Sequence, residues 1–104
     1  MEQVKQLRAV IFWDGGAWAA QCLEHDIGAQ APDLDALQFR LGVAIEVEFQ
    51  ESLERHGEPF GGIDPAPAHY HRMWDEGAGT FTPQNPPKLS GGAGAIGVAM
   101  KMAA

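Results

Sequence analysis

A chain of 104 residues, 45% of them apolar, has room for one modest core and none for a second domain. Its formal charge of -7, with seven lysines and arginines scattered along it, excludes binding nucleic acid through the phosphate backbone, which needs clustered cations. The one cysteine, Cys22, excludes an internal disulfide, and Met1 to Lys5 shows no basic and apolar leader, so the expectation is a cytoplasmic protein that neither spans nor binds a membrane.

From Gln6 to Trp13 the residues Leu7, Ala9, Ile11 and Trp13 alternate with Arg8, Val10 and Phe12, a pattern rich in strand-forming side chains. Asp14-Gly15-Gly16 tolerates positive φ, and Ala17 to Leu23 resumes an extended pattern, so the two runs predict a tight β-hairpin. Trp13 and Trp18 flank its turn. A one-residue slip would place them on opposite faces, and the sequence leaves that register open. Glu24-His25-Asp26 forms a polar connection, and Ile27 to Ala31 predicts a short third strand.

Pro32 to Gly57 predicts one long helix. Asp33 supplies an N-cap, while Gly57 followed by Pro59 supplies the stop. At 100° per residue, Leu34, Leu37, Leu41, Ala44, Ile45 and Phe49 form a core-facing band. A narrower stripe of Ala36, Phe39, Val43 and Val47 lies nearly opposite, flanked by Arg40, Glu46, Gln50 and Glu54. Gly42, at a cost of about 1 kcal/mol relative to Ala, either permits a close backbone approach or is simply tolerated, the second being the reading preferred. Glu46, Glu48, Glu51 and Glu54 read as a solvated flank, partly relieved by Arg40 and Arg55.

Glu58 to Pro67 is a loop. Ala68 to Glu76 carries Tyr70, Met73 and Trp74 at offsets of three and four, which suits a two-turn helix docked by one face; a short strand through Tyr70, Arg72 and Trp74 stays open. Gly77 to Pro87 is turn-rich, and the Gly/Ala-rich chain from Ser90 onward is expected to be disordered. The domain expected is therefore residues 1–76, with a flexible tail over 77–104.

Strand one is apolar on both faces, through Ile11 and Trp13 on one and Val10 and Phe12 on the other. One helix covers one face. The second face, like the second helix stripe, requires the segment after Gly57, another copy of the chain or a different protein. Association is the reading drawn, with Val10, Phe12, Phe39, Val43 and Val47 as its surface.

Three groups of residues invite a chemical reading, and each has a simpler account. Gly92-Ala93-Gly94-Ala95-Ile96-Gly97 matches G-x-G-x-x-G, but that fingerprint works between a strand and a helix with an acidic residue about 20 positions later, and only seven residues follow Gly97. Cys22, His25 and Asp26, with His56, His69 and His71, invite a metal site, yet paired ligand spacings on two arms are lacking. Surface histidines are the simpler account, and His56 suits a helix C-terminus as a cation. Cys22 with His25, or His25 with Asp26, lacks an oxyanion loop or nucleophile turn. No catalytic, metal or cofactor site is expected.

Asp14-Gly15-Gly16-Ala17-Trp18-Ala19-Ala20-Gln21-Cys22-Leu23, followed by an acidic link, a short strand and a long helix, resembles the HicB-like antitoxin family. The resemblance is carried by Asp14 through Leu37 and covers about residues 6–57; where the family has Gly-Asp-Thr leading into the helix, this chain has Ala31-Pro32-Asp33. It implies an α+β, β-β-β-α core, often completed by a fourth strand, like a partial ribonuclease H fold without its catalytic acids. It further implies a non-enzymatic homodimer that binds and neutralises a small basic RNA-cleaving toxin. The DNA-binding segment of complete antitoxins is not visible here. A solitary small-ligand or metal-binding module through His25, His56, His69 and His71 is the alternative.

Overall fold

A computed structural model of the chain describes residues 6–77, 89 and 91–103. Strands β1 (Gln6–Asp14), β2 (Ala17–Cys22) and β3 (Gly28–Ala31) precede the long helix α1 (Leu34–His56) and the short helix α2 (Ala68–Asp75). A 3₁₀ turn, Gly91–Ala95, then leads into a fourth strand, β4 (Gly97–Met102). The four strands form one mixed sheet in the order β3-β2-β1-β4, with β4 parallel to β1 and the other neighbours antiparallel.

The hairpin closes through Gly15 and Gly16, whose φ values of 61° and 135° suit glycine far better than any residue with a Cβ. This two-residue turn settles the register: Trp13 pairs with Trp18 and Asp14 with Ala17. Leu7, Ala9 and Ile11 consequently point to one face with Ala20 and Cys22, where Leu37, Leu41, Ile45 and Phe49 of α1 meet them. Each fully buried Leu or Ile in this layer contributes about 1.5–3 kcal/mol.

The ends of α1 follow their signals. Asp33 Oδ1 accepts from the Ala36 amide at 2.8 Å, and Gly57 adopts a left-handed φ of 73° with its N–H bonded to the Leu53 carbonyl. Gly42 is buried on the inner side of the helix. Gln38, one turn before it, is buried with no hydrogen-bond partner for its Oε1 among the described residues.

The loop after α1 is more ordered than its composition announces. Phe60 sits at φ 58° with its ring 1% exposed, edge-on to Phe49 and stacked on His25. Its amide donates to Ser52 Oγ at 2.6 Å, and the Ser52 hydroxyl donates on to the Phe49 carbonyl. Backbone bonds from Asp26 to Asp64 and from Ala66 to Leu23 fasten the rest of the loop beside the β2–β3 connection. A ring that anchors this many contacts over-determines a backbone conformation that is unfavourable for a bulky residue.

Two expectations are corrected. Residues 91–102, expected to belong to a disordered tail, form the 3₁₀ turn and β4. The backbone of β1 would otherwise present a row of unpaired amides and carbonyls on that side, and Val98, Met100 and Met102 give the small-residue segment side chains that pack on the core. The second face of the sheet, assigned to association, is covered over β1 by α2, so Val10 is fully buried within the chain and is not available to a partner. Ala68–Asp75 is thus the helix and not the strand. The turn-rich stretch 78–87 and the polar start at residues 1–5 lie outside the described residues. No helix among the described residues is long and apolar enough to cross a membrane.

Candidate interaction surfaces

The outer side of α1 carries one apolar line. Phe39, Val43 and Val47 recur every fourth residue and are 73%, 46% and 48% exposed. They span about 12 Å along the helix. The sheet and α1 core leave this stripe bare because it lies opposite the buried Leu37, Leu41 and Ile45. Arg40 beside it reaches away, donating from Nη1 to the Gln30 carbonyl at 2.9 Å, and so occupies an acceptor on the edge strand β3.

On the other face, α2 buries none of its own residues. It docks through aromatic contacts: Tyr70 lies against Phe12 with ring centroids 5.9 Å apart, and Trp74 sits beneath two cations, Arg8 from β1 at 5.7 Å and Lys101 from β4 at 5.4 Å. Arg8 is itself fixed by Glu24, which accepts from the Arg8 amide at 2.7 Å and from its Nε at 2.5 Å. Partial burial pushes the Glu24 carboxyl upward, but these hydrogen bonds and the guanidinium charge outweigh it and hold the group below the ordinary glutamate value. Phe12 is half-buried and Val10 fully buried, so of the two strand residues expected at an interface Phe12 alone is partly accessible.

Among the described residues, the face of β2 and β3 beyond α2 holds a groove of about 400 Å³, lined by Phe12, Asp14, Ala19, Gln21, Gly28, Gln30 and Tyr70. The sequence pattern does not mark Asp14, Gln21 and Gln30 as one surface, because they lie on three different strands. The signal available was the run of small residues Ala17 and Ala19 on the face shared with Phe12, which leaves a trough between larger neighbours.

The constellations considered for chemistry are dispersed. The Cys22 thiol lies in the core under α1, where burial first and the Glu24 charge second push it up to about 12. His25 stacks on Phe60 and gives its Nδ1–H to the Ile63 carbonyl at 2.9 Å, while Asp26 accepts from Gln21. His56 lies against Gly62, and His69 lies against Tyr70 on α2, which also carries His71. Among the described residues no three His, Cys, Asp or Glu side chains are grouped to hold a metal ion. The Gly92–Gly97 stretch passes from 3₁₀ turn to strand, the reverse of the strand-to-helix order that a dinucleotide fingerprint needs, with Gly92 packed on the Phe49 ring. Comparisons of the chain with protein-family models, with curated proteins and with solved structures give no match.

Proposed function

We propose that this chain is a non-enzymatic, HicB-like binding protein that pairs with a second copy of itself and neutralises a small basic RNA-cleaving toxin. The observation that carries the reading is the exposed line Phe39, Val43 and Val47 on the one long helix of an acidic chain. Three large apolar side chains in one row are costly to leave in water and mark a contact surface. Phe39 and Val47 lie equidistant from Val43, so an antiparallel pairing of two such helices sets the Phe39 end of each beside the Val47 end of the other, a self-complementary seam of the kind that two-fold dimers require.

The sheet order supports the resemblance in Asp14 through Leu37, since a fourth strand beside β1 completes the core which that resemblance implies. The charge of -7 suits a basic partner. The alternative of a ligand or metal module through His25, His56, His69 and His71 draws no support from their scattered positions.

Two measurements test the proposal. Sedimentation of the intact chain is expected to show a dimer that Val43→Glu converts to monomer without loss of helix content; a wild-type chain that stays monomeric at all concentrations overturns the self-pairing. Co-expression with a short basic protein encoded beside this chain is expected to relieve that protein's growth arrest, and an unrelieved arrest overturns the antitoxin role.

A further inference from the structure

The groove on the α2 side of β2 and β3 has a chemistry of its own. In register across the sheet, Phe12, Ala19 and Gln30 form one row, and Val10, Gln21 and Gly28 form the next. Each row places a small residue beside larger ones, so the surface is a trough and not a flat face. The trough is kept open at Gly28, where a Cβ would come within 2.9 Å of Gln21 Oε1. Its walls are the Phe12 and Tyr70 rings on one side and Asp14 with Gln30 on the other.

Its hydrogen-bonding groups are unbalanced. The Gln21 amide nitrogen is engaged by Asp26 Oδ1 at 2.8 Å and the Cys22 carbonyl at 3.2 Å, which leaves Oε1 as an acceptor beside Gly28. The Gln30 amide nitrogen is turned to Asp14 Oδ2 at 3.3 Å, so Gln30 too offers its oxygen. Asp14 is an exposed carboxylate with acceptor capacity beyond that one long contact. Aromatic walls, a carboxylate and two amide oxygens ask for a flat cation with several donors. A guanidinium meets all three demands, through stacking on the rings, a charge-assisted bond to Asp14 and further N–H groups for the amide oxygens. An ammonium offers a point charge without the plane.

We infer that this groove is the seat of an arginine side chain presented by a basic protein segment. The inference rests on the reading of the chain as the acidic partner of a basic protein, and it places that contact on the opposite side of the sheet from the α1 line.

The test is an amide-resolved NMR titration of the full chain with a capped five-residue peptide carrying one central arginine, alongside the same peptide with lysine and free arginine amide. Shifts confined to Phe12, Ala19, Gln30 and Tyr70, about fivefold weaker binding by Asp14→Asn, unchanged binding by Glu54→Gln on α1, and weaker response to lysine are expected. Shifts on the α1 flank, equal losses for the two variants, or equal binding of the lysine peptide overturn the assignment. Free arginine amide binding as tightly as the peptide overturns the protein source in favour of a small cation. Failure here with growth relief intact moves the partner to another surface, whereas the reverse result leaves the groove standing and removes the toxin.

Discussion

The indole of Trp13 stands edge-on to that of Trp18 directly across the β1–β2 ladder, with ring centroids 5.2 Å apart and planes at 76°. Such a pair at the mouth of a tight turn adds about 0.5–1.5 kcal/mol beyond the area it covers. Trp13 is itself 56% exposed, so its removal leaves no buried cavity. Trp13→Ala is expected to lower stability by about 1–2 kcal/mol in urea unfolding and to weaken the near-ultraviolet circular dichroism, while far-ultraviolet helix signal is retained. An unchanged near-ultraviolet spectrum would contradict the pairing.

Ser52 links α1 to the loop that follows it, accepting from the Phe60 amide while donating to the Phe49 carbonyl. Ser52→Ala removes a small polar group but strands a buried N–H, and the cost of that orphan is about 1–3 kcal/mol. Because Phe60 is held at positive φ by these contacts, hydrogen exchange in residues 58–66 is expected to rise more than in the sheet. A uniform rise across the chain would show that the loop does not open on its own.

Glu24 makes stability depend on pH in one direction. Its folded-state carboxyl is held below the ordinary value of 4.5, so it stabilises the fold above 4.5 and that contribution is lost as pH falls through the lower folded value. Glu24→Gln is expected to be less stable than the wild type at pH 7, with the difference shrinking as pH drops below 4.5. Melting temperatures measured across this range check it, and a constant difference would place the effect in packing and not in charge.

Cys22, fully buried with its thiol pushed up to about 12, is expected to be silent toward thiol reagents at pH 8 in the folded chain and to react fully on unfolding. Its labelling rate then reports global opening. Rapid labelling under native conditions would mean that β2 separates from α1 far more often than a 0% exposed core residue allows.

What the sequence made legible is what local chemistry determines. Asp33 and Gly57 mark α1 because capping groups act within one turn, and alternation marks the hairpin because side chains flip every residue. Tyr70 and Trp74 at helical spacing announce α2 as a docked helix, although their true target, the Phe12 ring and the Arg8 and Lys101 cations, depends on strand order. The groove was hidden for the same reason: Asp14, Gln21 and Gln30 lie on separate strands and meet only once the register is known. The contact of Phe60 with His25 joins residues far apart in the chain through a φ that no propensity rule assigns to phenylalanine. β4 was the main loss, since its Gly and Ala content signals disorder and its pairing is parallel and entirely non-local.

That last pairing sets an order of events. Gln6 meets Gly97 across nearly the whole length of the chain, whereas the β1–β2 hairpin closes over two residues. Ring closure over so long a span costs more entropy and forms late, so the hairpin and α1 gather first and β1 waits with one edge bare. On the ribosome every other element has emerged before β4 does. During that interval β1, which carries the buried Leu7, Ala9, Val10 and Ile11, presents an unpaired edge to which a neighbouring newborn chain can add a strand.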